Sequence, residues 1–275
     1  MTNCNNPVFE VRNLHITHPG KMLQLVHDLN FTLDAGTCLG IVGESGSGKT
    51  LVCRSLMGLL PPTLQADGTV IFEGMDLLHA PQETMRSLRG SKIAMVMQQP
   101  MTAFDPLYTL DKQFLETMSA HGICGMAQAK HLAMDMLERV CIANPETVLN
   151  SYPHQLSGGM LQRCMIALAL IMKPASIIAD EPTTALDAET QYEVVQQFFE
   201  LRKTHNTAMI FVSHDLGIVQ RLADELLVMK DGECVESGRA EDIFNAPQHP
   251  YTQYLIRTRM ALTKNFKSIL EKCHA

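Results

Sequence analysis

The run Gly43-Glu44-Ser45-Gly46-Ser47-Gly48-Lys49-Thr50 holds the residue types, at the right spacing, to grip a nucleoside triphosphate. Glycine and serine let successive backbone amides turn into one concavity. Such a nest at the head of a helix is an anion site by geometry and by dipole. In that setting Lys49 would reach the β- and γ-phosphates, and the Thr50 hydroxyl would hold Mg²⁺. The plain alternative is a Gly/Ser turn that happens to end in Lys-Thr. The flanks favour the phosphate loop: Cys38-Leu39-Gly40-Ile41-Val42 predicts a short buried strand, and Leu51 to Leu60 a helix.

A second stretch, Ser176-Ile177-Ile178-Ala179-Asp180-Glu181, is an apolar strand ending in two carboxylates, stopped by Pro182. In a parallel sheet the carboxyl ends of the strands share one edge, so this strand end and the phosphate loop would lie on the same side. Asp180 would orient Mg²⁺ through water, and Glu181 would polarise the water that attacks the γ-phosphate. A strand that merely ends in surface acids is the alternative. Ala208 to Val212 is another apolar strand, followed by Ser213-His214-Asp215. A neutral His214 imidazole there could bond the γ-phosphate or the attacking water, though a lone histidine is a weak signal. Leu156-Ser157-Gly158-Gly159-Met160 precedes an apolar helix and offers a hydroxyl and amides at its N-terminus. It reads either as a second anion site or as a simple helix cap.

These groups need a scaffold. Strands are predicted over Val8 to Ile16, Gln24 to Leu33, Val70 to Glu73, Ile93 to Met97, Ser176 to Asp180, Ala208 to Val212, Glu225 to Met229 and Glu233 to Glu236. Turns are predicted at His18-Pro19-Gly20-Lys21 and Asp34-Ala35-Gly36, and Pro61-Pro62 stops the first helix. From Leu110 to Lys173 the pattern turns helical: Leu110 to Ala120, Ala127 to Val140 and Gly159 to Ile171, the middle one with Leu132, Met136, Leu137 and Val140 as its core face. A helical block therefore interrupts an α/β domain.

The 275 residues suffice for a substantial core, and 46% are apolar. A net charge of −7 argues against general nucleic-acid binding. The longest apolar run, Cys164 to Met172, is too short to span a bilayer, and the polar opening Met1 to Pro7 predicts no signal peptide. Eight cysteines without a Cys-x-x-Cys fit a reducing cytoplasm, with Cys38, Cys53 and Cys164 packing as small hydrophobes. No histidine or cysteine spacing suggests a nickel site.

In this order, phosphate loop, Gln98, Leu156 to Met160, Asp180-Glu181, Ala185-Leu186-Asp187 and His214, the chain resembles the nucleotide-binding subunit of ABC transporters over nearly its whole length. The resemblance implies an α/β, P-loop ABC-type nucleotide-binding domain: a RecA-like core, an antiparallel β subdomain and an inserted helical subdomain over about 100–172. That domain would fill 1–255, with a C-terminal extension over 240–275. It implies ATP and Mg²⁺ as cofactors, with Thr50, Gln98 and Asp180 on the metal, and Glu181, Gln98 and His214 in catalysis. It implies a dimer in which each ATP lies between one subunit's phosphate loop and the other's Leu156-Ser157-Gly158-Gly159-Met160, with Asp187 touching the opposite subunit. Two departures stand out. Met160 replaces the usual glutamine, as in other members of the peptide and nickel import branch. The adenine-stacking aromatic falls near His18, a weaker stacker.

Asn245-Ala246-Pro247-Gln248-His249-Pro250-Tyr251-Thr252 resembles the C-terminal extension of oligopeptide, dipeptide and nickel import ATPases. Gly158-Gly159-Met160-Leu161-Gln162-Arg163, Ala103-Phe104-Asp105-Pro106 and Ile178 to Thr184 are more similar to the nickel or metallophore importers than to the peptide ones. Near the C-terminus only Cys273 is present, so no iron–sulfur cluster is expected. The expected partners are a second, related ABC ATPase, two integral membrane permeases and an extracytoplasmic solute-binding protein, with no nucleic acid. The expected place is peripheral, on the cytoplasmic face of the cell membrane. The alternatives are a dipeptide or oligopeptide importer, and a soluble ABC ATPase working on DNA or ribosomes. Those soluble proteins usually carry two cassettes or a long coiled-coil insertion, unlike this chain. A pure binding module would not need both Glu181 and His214.

Overall fold

The computed structural model describes residues 7–123 and 126–258, which fall into two compact units. One contains Phe9–Leu33, Cys38–Leu78 and the chain from Ile210. It opens with two long antiparallel strands, β1 (Phe9–His18) and β2 (Leu23–Leu33), joined by a 3-10 turn at Pro19–Lys21. Phe9, Val11, Leu14 and Ile16 on β1 and Val26, Leu29 and Leu33 on β2 all point inward. β3 (Cys38–Gly43) is buried at all six positions, as suits a strand covered on both faces. α1 (Lys49–Leu56) starts on the lysine of the loop. It ends four residues before the expected Leu60, because Gly58 turns the chain at φ 59°. β4 (Gln65–Phe72) begins five residues before the expected Val70 and is followed by the short β5 (Met75–Asp76). The polar start of β4 pairs with β1 in a sheet ordered β2-β1-β4-β5, so pairing rather than hydrophobicity extends it. Phe9 and Phe72, opposite each other in the register, set their rings 4.9 Å apart.

The other unit contains Asp34–Thr37 and His79–Met209. α2 (Gln82–Leu88) leads to β6 (Ile93–Val96). The helical block follows: α3 (Leu110–Ala120), α4 (Met126–Arg139), α5 (Pro145–Leu149) and α6 (Gly158–Ile171). β7 (Ser176–Asp180) then lies parallel to β6, with Ile93 opposite Ser176. α4 buries a different face from the expected one. Leu137 and Val140 are in the core, but Ala129 and Ala133 join them, while Leu132 and Met136 are only partly covered. Small side chains let this helix approach its neighbours closely, and size, not hydrophobicity, selects the buried face. α7 (Ala188–His205) is an 18-residue helix that periodicity does not single out. Only Val194, Val195, Phe198 and Leu201 on it are buried, among mostly polar residues.

β8 (Ala208–Val212) returns the chain to the first unit. There α8 (Leu216–Leu222), β9 (Glu225–Lys230), β10 (Glu233–Arg239) and α9 (Ala240–Asn245) follow, then a helical stretch over 250–258. β9 runs parallel to β3, and its end Met229 lies opposite Gly43. The Cys38 amide donates to the Asp224 carboxylate at 2.7 Å, and the Asp224 amide to the Cys38 carbonyl at 2.9 Å, which sets that register. β10 folds back antiparallel on β9 through Asp231 and Gly232, both at positive φ, as a two-residue hairpin turn demands. Cys273 lies outside the described residues, as does the C-terminal extension beyond residue 258.

Candidate functional site

The phosphate loop leaves β3 at Gly43. The φ there is 155°, and a Cβ would sit 2.2 Å from the Met229 carbonyl oxygen, so the approach of β9 admits only glycine. Glu44, Ser45 and Gly46 form an exposed tip, while Ser47 and Lys49 are buried. The Lys49 ammonium donates to the carbonyls of Gly43 (3.0 Å) and Glu44 (2.7 Å) and to Ser47 Oγ (3.3 Å). The loop is thus wrapped around its own cation. Gly48 caps α1 at φ 99°, and Thr50 is half-buried in the first turn. The Glu44 amide donates to the Tyr251 phenol oxygen at 3.0 Å, a bond that no sequence spacing announces. In the same unit, His18 is half-exposed at the end of β1, with its Nδ1 enclosed and lacking a hydrogen-bond partner. His214 is exposed just past β8, beside Asp215, whose carboxylate caps α8 by accepting from Gly217 (2.9 Å) and Ile218 (3.3 Å).

The second unit carries the acids. Asp180 ends β7 and is 2% exposed. Glu181, half-exposed, follows in a left-handed backbone conformation at φ 49°. Such a conformation in a non-glycine residue stores roughly 1–3 kcal/mol and persists only where the surroundings hold it. The exposed Gln98, just beyond β6, donates from Nε2 to Glu181 Oε2 at 2.8 Å, and Thr184 Oγ1 lies 3.3 Å from the same oxygen. The sequence-predicted Gln98 and Glu181 are therefore direct partners. The buried Gln162 on α6 donates to the Met97 carbonyl at 3.3 Å, tying α6 to the residue before Gln98. Gln162 had no assigned part in the sequence, and only its burial marks it.

Leu156 and Ser157 lead into α6 from a 3-10 turn over Pro153–Gln155. Ser157 Oγ accepts from the Met160 amide at 3.3 Å, so the helix-cap reading holds in this structure. Ser157 and Gly158 are nonetheless exposed, leaving the helix N-terminus open to a further acceptor. A Cβ on Gly159 would stand 2.9 Å from the Ala185 carbonyl oxygen, so the Ser157-Gly158-Gly159 corner and Ala185-Leu186-Asp187 lie side by side. Arg163 fixes the corner from behind by donating to the carbonyls of Gly159 and Cys141. Asp187 is exposed and caps α7. Bonds from the Thr190 amide (3.0 Å) and hydroxyl (2.8 Å) hold its carboxyl below the usual range.

Burial pushes the Cys164 thiol up to about 12, which keeps it an inert core group. Among the described residues, no three His, Cys, Asp or Glu side chains cluster as a metal cage, and no helix is long and apolar enough to cross a membrane. A magnesium ion held through a nucleotide needs no such cage, since phosphates and water supply most of its oxygens. The Thr50 hydroxyl and the Asp180 carboxylate are each an oxygen donor of the type such an ion takes.

A phosphate loop on a buried parallel strand, an acidic strand end bonded to a glutamine, and an open serine-glycine helix start define a nucleotide-handling α/β protein. Comparison with known proteins agrees. The family described as "ABC transporter" matches residues 26–184, and "Oligopeptide/dipeptide transporter, C-terminal region" matches 235–272. The metal-staphylopine import system ATP-binding protein CntD of Staphylococcus aureus is 45% identical over 94% of this chain and 96% of its own. The oligopeptide transport ATP-binding protein OppD of Haemophilus influenzae is 42% identical over 90% and 77%. A dimeric post-hydrolysis structure of the ATP-binding cassette MJ0796 with ADP and Pi superimposes with a TM-score of 0.76 at 26% identity, covering 84% of this chain and 98% of that one. This chain belongs to the ABC transporter family and carries its ATP-binding domain. Its fold is the P-loop ABC nucleotide-binding fold expected from the sequence.

Proposed function

We propose that this chain is the ATP-hydrolysing subunit of a bacterial ABC importer, energising uptake of nickel or a metal–metallophore complex. The observation that carries the solute class is the 45% identity to a metal-staphylopine import ATPase along almost the full length of both chains. Lys49, with the amides of Gly43 to Thr50, binds the triphosphate. Thr50, Gln98 and Asp180 would hold Mg²⁺, which would supply positive charge to offset that of the phosphates. Glu181 orients and deprotonates the attacking water, and His214 bonds the γ-phosphate. His18 supplies the face for adenine.

The open start of α6 belongs to the nucleotide of a second ATPase, and Asp187 faces that same subunit. Replacing Ser157 by arginine would fill that opening with a bulky cation while leaving this chain's own phosphate loop untouched. In a mixed dimer, Ser157→Arg is expected to silence the partner's ATP site and spare its own. The opposite pattern would refute the shared-site arrangement. Large apolar side chains lie exposed at Met101, Leu107 and Tyr108, just after Gln98. They suit a docking face for the permeases, which hold this ATPase peripherally at the cytoplasmic face of the membrane, with a solute-binding protein outside.

A peptide importer is the second reading, favoured by the C-terminal region and by the likeness to OppD. Uptake separates them. A strain lacking this chain is expected to lose accumulation of labelled nickel, supplied free or with a metallophore, and to keep peptide uptake. Loss of peptide uptake alone would reverse the assignment.

A further inference from the structure

We propose that Tyr251 is a positioning residue of the phosphate loop: its phenol oxygen fixes the Gly43–Glu44 peptide for nucleotide, so that the C-terminal region sets affinity for ATP. The proposal rests on the nucleotide-binding role of the family and adds a residue outside the motifs that define it. Gly43 C=O and Glu44 N–H belong to one peptide group. The carbonyl accepts from the Lys49 ammonium at 3.0 Å, and the amide donates to Tyr251 at 3.0 Å. That peptide is therefore clamped from both sides, by the cation that serves the phosphates and by a phenol from far along the chain.

The two clamps are not equivalent. When a triphosphate enters, Lys49 is drawn toward its charge and shares its donors with phosphate oxygens. The phenol bond makes no such trade. It holds the first turn of the loop in the same plane before and after binding, which lowers the ordering cost of binding.

Tyr251 is itself fixed to the strands that present the loop. It is 8% exposed, and the Lys230 ammonium at the end of β9 sits 5.3 Å over its ring. Its amide donates to His249 Nδ1 at 3.2 Å. The Glu236 carboxylate, on β10, accepts from the amides of Gln248 (2.8 Å) and His249 (3.0 Å). Burial alone would raise that acid; the amide hydrogen bonds outweigh it and hold its pKa below the ordinary carboxylate value. β10 pairs with β9, and Met229 of β9 lies opposite Gly43 at the end of β3. Loop and tyrosine thus share one frame of three strands, and a shift of the segment around 248–251 moves the phenol against the loop.

Tyr251→Phe keeps the ring and removes only the oxygen, whereas Tyr251→Leu removes the ring as well. Both are made in the full chain. ATP binding is titrated without turnover, the melting temperature is read without nucleotide, and KM and kcat for ATP hydrolysis follow. The expected result is that Tyr251→Phe weakens ATP binding and raises KM about 3- to 10-fold, because the loop that the phenol no longer pre-orders must be ordered at the binding step, a cost bounded by the worth of one hydrogen bond. Its kcat should stay close to the parent's, and its nucleotide-free melting temperature should fall by only a few degrees, as one lost hydrogen bond dictates. Tyr251→Leu should show the same loss of affinity with a lowered melting temperature. Parent-like ATP affinity in Tyr251→Phe would overturn the proposal and leave only a packing role, seen as a melting loss in Tyr251→Leu. A parent chain that bound no ATP would remove the nucleotide reading and this inference with it.

Discussion

Glu181→Gln is expected to bind ATP as tightly as the parent and to hydrolyse it roughly 10²- to 10⁴-fold more slowly, the range that a positioned general base contributes. The substitution keeps the size and shape of the side chain. Gln98 can still donate to the remaining carbonyl oxygen, so the 2.8 Å link between the two residues survives. What is lost is the lone pair and charge that take a proton from water. The backbone supports the same choice. Glu181 is held at φ 49°, a conformation that a non-glycine residue keeps only where its surroundings hold it. Single-turnover hydrolysis and ATP binding on the purified protein check this. Substantial turnover in the variant would take Glu181 out of the base role.

Lys49→Ala is expected to weaken ATP binding by roughly 2–3 kcal/mol, about 30- to 150-fold, since charge-assisted contacts to phosphate are among the strong ones. Two effects combine. The cation that meets the phosphates is gone, and the carbonyls of Gly43 and Glu44 lose their donor. Titration with ATP measures the first, and melting without nucleotide measures the second. ATP-induced stabilisation grows with ligand concentration over Kd, so it should nearly vanish in the variant at concentrations that stabilise the parent. Unchanged affinity would remove Lys49 from the nucleotide site.

The phosphate loop was legible because its chemistry dictates both residue type and spacing, and a buried strand and a helix bracket it in sequence as in space. Gln98 and Glu181 were each marked through the family resemblance or the acidic strand end, but the bond between them, across 83 positions, has no trace in the sequence pattern. The Tyr251–Glu44 bond spans 207 positions and joins a loop amide to a phenol, a pairing with no periodic or compositional trace. α4 was placed correctly, yet its buried face was misjudged, because close packing of Ala129 and Ala133 outweighs the greater hydrophobicity of Leu132 and Met136. α7 escaped notice for a similar reason: a long helix with few buried residues writes little periodicity into the chain.

Two half-sites for triphosphate on one chain, each completed by another cassette, is the claim on which the functional account stands. The most direct measurement is a structure of the Glu181→Gln protein with ATP and Mg²⁺ in its assembled dimer. The account predicts the Ser157 hydroxyl and the Gly158-Gly159 amides within hydrogen-bond reach of the γ-phosphate held by the partner's phosphate loop. A closed, ATP-loaded dimer with the Ser157 corner far from any nucleotide would contradict it.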